Sequence, residues 1–230
     1  MLETISGYTQ KVLSGGTLGK MELYELAKTD ADDLPYLFAA ANSIRRQCQG
    51  DQVHLCSILN GRSGHCSEDC SYCAQSVHHQ TGVAVYPLLD MQEILRNAVA
   101  AEAAGVSHFS IVLSGGGVDQ TDETTTFARI IEAYRLIRSK TQLQLCASLG
   151  SLTLDQARQL KAVGVERYHH NVETSREFYP EICRTHTYED RIRTIKVAQA
   201  AGLAVCSGGI IGMGESLEQR VDMAIELREM

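Results

Sequence analysis

AEAAGVSHFSIVLSGGG, residues 101–117, carries the chain out of a helix, through a strand and into a glycine loop. Gly105 is a helix stop, and the apolar run Val106 to Leu113 follows it at once as a strand. The passage returns as LKAVGVERY at residues 160–168 and AQAAGLAVC at residues 198–206, a weak internal repeat. In each copy a glycine, Gly164 or Gly202, ends a helix and a strand begins, Val165 to His170 or Leu203 to Cys206. Upstream, Asp90 with Glu93, Thr153 with Gln156 and Thr187 with Asp190 have the spacing of helix N-caps. Val53 to Leu59 reads as a first strand, and Leu143 to Ala147 as another after a helix around Phe127 to Ser139.

Strands alternating with helices at this spacing form a parallel sheet with right-handed crossovers, in an α/β fold. A doubly wound sheet and a (β/α) barrel of TIM type both fit the alternation. The barrel is favoured because Cys66, Ser114 with Gly115 and Gly116, Cys146, Asn171 and Cys206 all follow or end a strand. A barrel gathers those ends on one face. Five strands are counted, and Ser216 opens a helix that reaches Met230, so the expectation is a partial or truncated barrel of about five β/α units over 51–230. Residues 1–50 read as a peripheral helical extension, with helices at Met21 to Lys28 and Asp33 to Gln49.

Composition narrows the function. The chain has 230 residues, of which 44% are hydrophobic and 21% charged, enough to build a core and too apolar for disorder. A net charge of −7 argues against nucleic acid or an anionic membrane as the main partner. The longest uncharged run, Val197 to Gly214, is broken by five glycines and does not read as a membrane span. The start lacks a secretory signal, so a cytoplasmic setting is expected, in which eight cysteines point to metal or catalytic chemistry before disulfides.

CSEDCSYC, residues 66–73, places Cys66, Cys70 and Cys73 at C-x3-C-x2-C spacing in the loop after the first strand. Three thiolates this close can hold three irons of a 4Fe–4S cluster and leave the fourth for an outside ligand. Zinc is the alternative, with His65 or a distant Cys completing a tetrahedron, although no second Cys/His pair stands nearby. An iron–sulfur electron carrier or a zinc-binding module is the corresponding reading from another functional class.

With Tyr72 before its last cysteine, the motif resembles the signature of the radical S-adenosylmethionine (SAM) enzymes. GHCSEDCSYCAQS, YHHNVETSREFYPEI and VCSGGIIGMGES, in that order, resemble the biotin synthase family over roughly residues 50 to 220. The resemblance implies that Cys66, Cys70 and Cys73 ligate a SAM-binding 4Fe–4S cluster. It implies that Ser114, Gly115 and Gly116 offer backbone to the SAM amino group, and that Asn171 and Glu173 meet ribose and substrate. Glu173 stands where an aspartate is more familiar. Arg191 would pair with the SAM carboxylate, and Ile210 would pack on adenine. Plain structural roles exist for each: a turn cap for Asn171, a surface pair with Glu189 or Asp190 for Arg191, and turns for the glycines at 208 to 214. The activity implied is conversion of dethiobiotin to biotin, with a flavodoxin- or ferredoxin-type electron donor and a homodimeric assembly.

One departure concerns the auxiliary cluster, which in the familiar family members is 2Fe–2S held by three cysteines and an arginine. Cys146 and Cys206 match two of those cysteines, but Ser110 occupies the third position. A hydroxyl is a poor replacement for thiolate on iron. Cys183, in PEICRTH, is the expected substitute, so that Cys146, Cys183 and Cys206 would hold the auxiliary cluster, either 2Fe–2S or an altered type such as 4Fe–4S with an open iron. Otherwise Cys183 is a small buried apolar residue. Cys48 and Cys56 read as packing residues, and His169 and His170 as pocket-lining or buried histidines. Ser110 also keeps a second reading open, a relative of hydrogenase maturases or methylornithine synthases that needs no sulfur donor.

Overall fold

Along the chain the elements are α1 (Leu2–Leu13), α2 (Lys20–Ala27), α3 (Leu34–Gln49), β1 (Cys56–Arg62), α4 (Met91–Ala103), β2 (His108–Leu113), α5 (Thr126–Lys140) and β3 (Gln144–Ser148). They continue as α6 (Leu154–Ala162), β4 (Val165–His169), α7 (Tyr179–Ile182), α8 (Tyr188–Ala200), β5 (Ala204–Cys206) and α9 (Leu217–Glu229). This is a computed structural model, and it describes residues 1–118 and 126–230. The expected caps start their helices: Asp90 accepts the Glu93 N–H at 2.8 Å, and Thr153 and Thr187 form reciprocal capping boxes with Gln156 and Asp190.

Two compact units result. His54–Met213 form one, and Met1–Val53 with Gly214–Met230 the other. In the second unit α1 packs on α3 and α2 on α9, and Lys20 pairs with Asp222 at 2.7 Å. Helix α1 escaped sequence reading because Gly7, Ser6, Thr4 and Thr9 dilute its helical preference.

In the first unit five parallel strands lie in the order β1-β2-β3-β4-β5. A doubly wound sheet reverses its strand order at a switch point, whereas a barrel adds each strand beside the last. The order therefore decides for a partial (β/α) barrel. Burial, then Cys206 on the opposite edge strand, raises the Cys56 thiol of β1.

Phe109, Ile111 and Leu113 of β2, Leu145 and Ala147 of β3, and Val165 and Tyr168 of β4 form one core with Ile94 and Ala98 of α4, Ile130 and Tyr134 of α5, and Leu160 of α6. Burying each large apolar side chain contributes about 1.5–3 kcal/mol. Side chains alternate across a strand, so His108, Ser110 and Val112 take the face away from this core. There Ser110 is in register with Cys146, Cys146 with Arg167, and His169 with Cys206. Strand β1 runs three residues later than the expected Val53 to Leu59, because Asn60 and Arg62 pair with Val112 and Leu113 around a bulge at Gly61. A Cβ on Gly61 would lie 3.0 Å from Ile111 Cγ2, so only glycine fits this approach comfortably.

Candidate functional site

After β1 the chain doubles back. Ser63 and Tyr86 exchange backbone hydrogen bonds of 3.1 and 3.2 Å, the Cys66 N–H donates to Gln75 O at 3.0 Å, and the Cys73 N–H to Cys70 O at 3.0 Å. These bonds fold the three-cysteine segment, with Cys66 and Cys70 buried and Cys73 half-buried. The loop after α7 straps it from outside. Asp69 Oδ1 accepts the N–H groups of Arg184 and Thr185 at 2.9 and 3.1 Å, and the Ser71 N–H donates to Ile182 O at 2.9 Å. Those donors hold the Asp69 carboxyl well below the usual carboxylate range.

Burial raises the Cys66 thiol, although the N–H groups of Glu68 and Gly115 point at its sulfur. Burial, then Cys183 with its sulfur 3.8 Å away, pushes Cys70 up to about 12. Cys66 and Cys70 are therefore held as neutral thiols, and a bound metal would displace their protons. N–H donors on a cysteine sulfur suit a ligating thiolate, so this loop fits the 4Fe–4S cluster expected of it.

A cavity of about 310 Å³ opens beside these cysteines, lined by Cys66, Cys70, Tyr72, Cys73, Ser114, Gly115, Gly116, His170, Glu173 and Arg191 among others. Ser114 Oγ donates to Gly64 O at 2.7 Å, tying the end of β2 to the cysteine loop. Gly150 has φ 81° and lies against Gly116, where a Cβ would come within 2.7 Å of backbone.

Arg191 is not a surface residue. It is 8% exposed, with Nη1 3.2 Å from Glu173 Oε1, while Nε donates to Tyr179 OH at 2.7 Å and Nη1 to Asn171 O at 3.1 Å. Arg193 takes the surface pair with Asp190 instead, at 2.7 Å. Glu173 adopts φ 70° and His65 φ 52°, left-handed conformations that cost non-glycine residues on the order of 1 kcal/mol and gather at functional sites. The Glu173 backbone is fixed by Gly208 O and by the Ile210 N–H, at 3.3 and 2.7 Å. Asn171 and Ile210 thus stand one bond behind the cavity wall, and Ile210 is 37% exposed. His170 reaches the wall with Nε2 buried and unpartnered, and burial, then Arg191, lowers it to about 3, so its ring is neutral.

The other cysteines divide in an unexpected way. Cys183, at the end of α7, contacts Cys70, Asp69, Thr185 and His186. Cys146 is instead raised to about 11 by burial, then by Cys56 and, more weakly, Cys206, while Arg167 opposes the rise. Strand register sets Cys56, Cys146, Arg167 and Cys206 on one face of the sheet, while Cys183 lies at Cys70. Sequence reading passed over Cys56 and Arg167. The two-residue alternation of Cys56, Ile58 and Asn60 held the signal, but only the register of β1 shows which face they take. Ser110 Oγ, beside Cys146, is buried without a partner.

A partial parallel barrel with three loop cysteines after its first strand is the arrangement of a radical SAM enzyme, and the Radical SAM superfamily profile matches residues 62–227. Biotin synthase of Carboxydothermus hydrogenoformans is 47% identical over 230 residues, 100% of this chain and 70% of that protein. Biotin synthase of Acetivibrio thermocellus is 52% identical over 209 residues, 91% of this chain and 64% of that protein. The chain belongs to the biotin synthase family of that superfamily, and spans about two thirds of the length of these relatives. Among solved structures, methylornithine synthase superposes with a TM-score of 0.83 at 19% identity, over 96% of this chain and 64% of that one. The FeFe-hydrogenase maturase of Carboxydothermus hydrogenoformans gives 0.78 at 22%, over 99% and 53%. At such identities the likeness is one of fold. Among the described residues no helix is long and apolar enough to cross a membrane.

Proposed function

We propose that this chain carries the radical SAM half of a sulfur insertion that converts dethiobiotin to biotin. The observation that carries the reading is the convergence of Cys66, Cys70, Ser114 to Gly116, Glu173 and Arg191 on one cavity, in a chain of this family. Cys66, Cys70 and Cys73 would hold the 4Fe–4S cluster that binds SAM. Cys146 and Cys206, with Cys56 as third thiol and Arg167 beside them, would hold the auxiliary cluster, and the strand register that sets them on one face of the sheet supports that set. When bound, these groups supply reductive cleavage of SAM, hydrogen abstraction by the resulting radical, and sulfur.

The protein's own part is placement and charge. Tyr179 and Glu173 fix the Arg191 guanidinium in one orientation, a fork suited to a carboxylate. The Gly115 and Glu68 N–H groups offer hydrogen bonds to Cys66 sulfur. Neutral His170 lines the cavity without adding charge. A flavodoxin- or ferredoxin-type donor, a homodimer and a cytoplasmic setting belong to the same reading.

Ser110 favours a second reading, a sulfur-free relative of the methylornithine synthase or hydrogenase maturase type. Anaerobic reconstitution with iron and sulfide, then SAM and reductant, separates the two by the yield of 5′-deoxyadenosine. Strong stimulation by dethiobiotin is expected. Turnover that dethiobiotin leaves unchanged would overturn the substrate and favour the second reading.

A further inference from the structure

Cys70, Cys183 and His186 each offer a ligand atom, and the three atoms lie within 4.8 Å of one another. Two thiolates about 2.3 Å from one tetrahedral zinc stand about 3.8 Å apart, and a thiolate and an imidazole nitrogen about 3.5 Å. Cys70 and Cys183 sulfurs are 3.8 Å apart. His186 Nε2 lies 3.9 Å from the Cys183 sulfur, within a few tenths of an ångström of the second spacing. Asp69 Oδ1, 3.4 Å from the same sulfur, accepts the Arg184 and Thr185 N–H groups and so holds the loop that carries Cys183. Glu68 Oε2 accepts from His186 Nδ1 at 2.6 Å, which leaves Nε2 for a metal and orients the ring as a carboxylate commonly does behind a metal-bound histidine.

We propose that the cluster-free chain binds a single divalent transition ion, Fe(II) or Zn(II), at Cys70, Cys183 and His186, with solvent completing its coordination. Cys70 cannot serve this ion and a 4Fe–4S cluster together, so the two occupancies exclude each other. The binding step exchanges protons of the two thiols for the metal and involves no electron transfer.

The test is anaerobic titration of the full, metal-stripped chain with Co(II) under reducing conditions. One equivalent is expected, with thiolate-to-metal charge-transfer absorption and the intense visible bands of tetrahedral cobalt. Loss of a ligand should cost at least the roughly 10–100-fold that outer-shell substitutions cost, so Cys183→Ser should weaken binding at least that far while Cys66→Ser leaves it unchanged. If Cys183→Ser alters the circular dichroism of the chain, His186→Gln is read by the same criterion. Equal affinity in these variants, or loss of the signal in Cys66→Ser, would place the ion on the three-cysteine loop and overturn the proposal. The inference does not rest on the SAM reaction, because cobalt spectra report on ligands whether or not SAM is cleaved.

Discussion

Cys66, Cys70 and Cys73 fall within eight consecutive residues, whereas Cys56, Cys146 and Cys206 come from three strands at 90- and 60-residue separations. The first group is shaped by short-range backbone bonds and strapped by the loop at Arg184 and Thr185. The second has no local scaffold, since strand register alone sets it on one face of the sheet. Their surroundings differ as well. Cys66, Cys70 and Cys183 are buried, while Cys56 and Cys206 are exposed and only Cys146 is covered. A loop motif can therefore form a site wherever its few neighbours fold, but a strand site exists only if several crossovers are built correctly.

The sharpest break between the groups is an iron count. Cys70→Ala should remove one cluster, about four irons per reconstituted chain, and bring SAM cleavage to background. Cys146→Ala should lower iron by the auxiliary cluster and leave uncoupled SAM cleavage in place. Iron analysis beside 5′-deoxyadenosine yield reads both, and equal losses in the two variants would merge the groups into one.

Two arginines carry the same contrast at smaller scale. Arg191→Met leaves Glu173 buried and unpaired, and should destabilise the chain by about 3–5 kcal/mol in urea unfolding. Arg167 is exposed, and Arg167→Met should change stability by less than about 0.5 kcal/mol. Adding Glu173→Leu to Arg191→Met should recover part of the loss. His170 then gives a pH signature on the cavity side. Its folded value of about 3 lies below the 6.5 of the free side chain, so between those values the unfolded chain binds the extra proton. Stability should fall by a few kcal/mol, roughly, as pH drops through that window. His170→Gln should flatten the slope above about pH 4, where carboxylates such as Asp69 contribute little. An unchanged slope would mean that His170 is already protonated in the fold beside Arg191.

Much of the fold was legible because it was written locally. Glycine stops at Gly105, Gly164 and Gly202 and caps at Asp90, Thr153 and Thr187 act within a few residues, and the alternation between them implied a parallel sheet. The three-cysteine loop was legible for the same reason. The partner of Arg191 was not: spacing on α8 offered Glu189 and Asp190, and only the turn of Glu173 into a left-handed conformation shows the carboxylate Arg191 meets. The places of Cys183 and Cys56 were not legible, because they depend on where α7 ends and on the register of β1. Neither is encoded by a spacing along the chain.

Ser110 tests that register most gently. Its hydroxyl is buried without a partner beside Cys146, and an unpaired buried hydroxyl costs about 1–3 kcal/mol. Ser110→Ala in the cluster-free chain removes that cost and leaves a void no larger than the lost oxygen, so unfolding in urea should become harder by about 1 kcal/mol. Ser110→Cys goes further, because it places a fourth thiol in register with Cys146, and reconstituted iron should then rise or stay level. If instead Ser110→Ala destabilises the chain, the hydroxyl is satisfied and β2 presents Ser110 to a different neighbour. The set of Cys56, Cys146 and Cys206 would then lose the register that joins them.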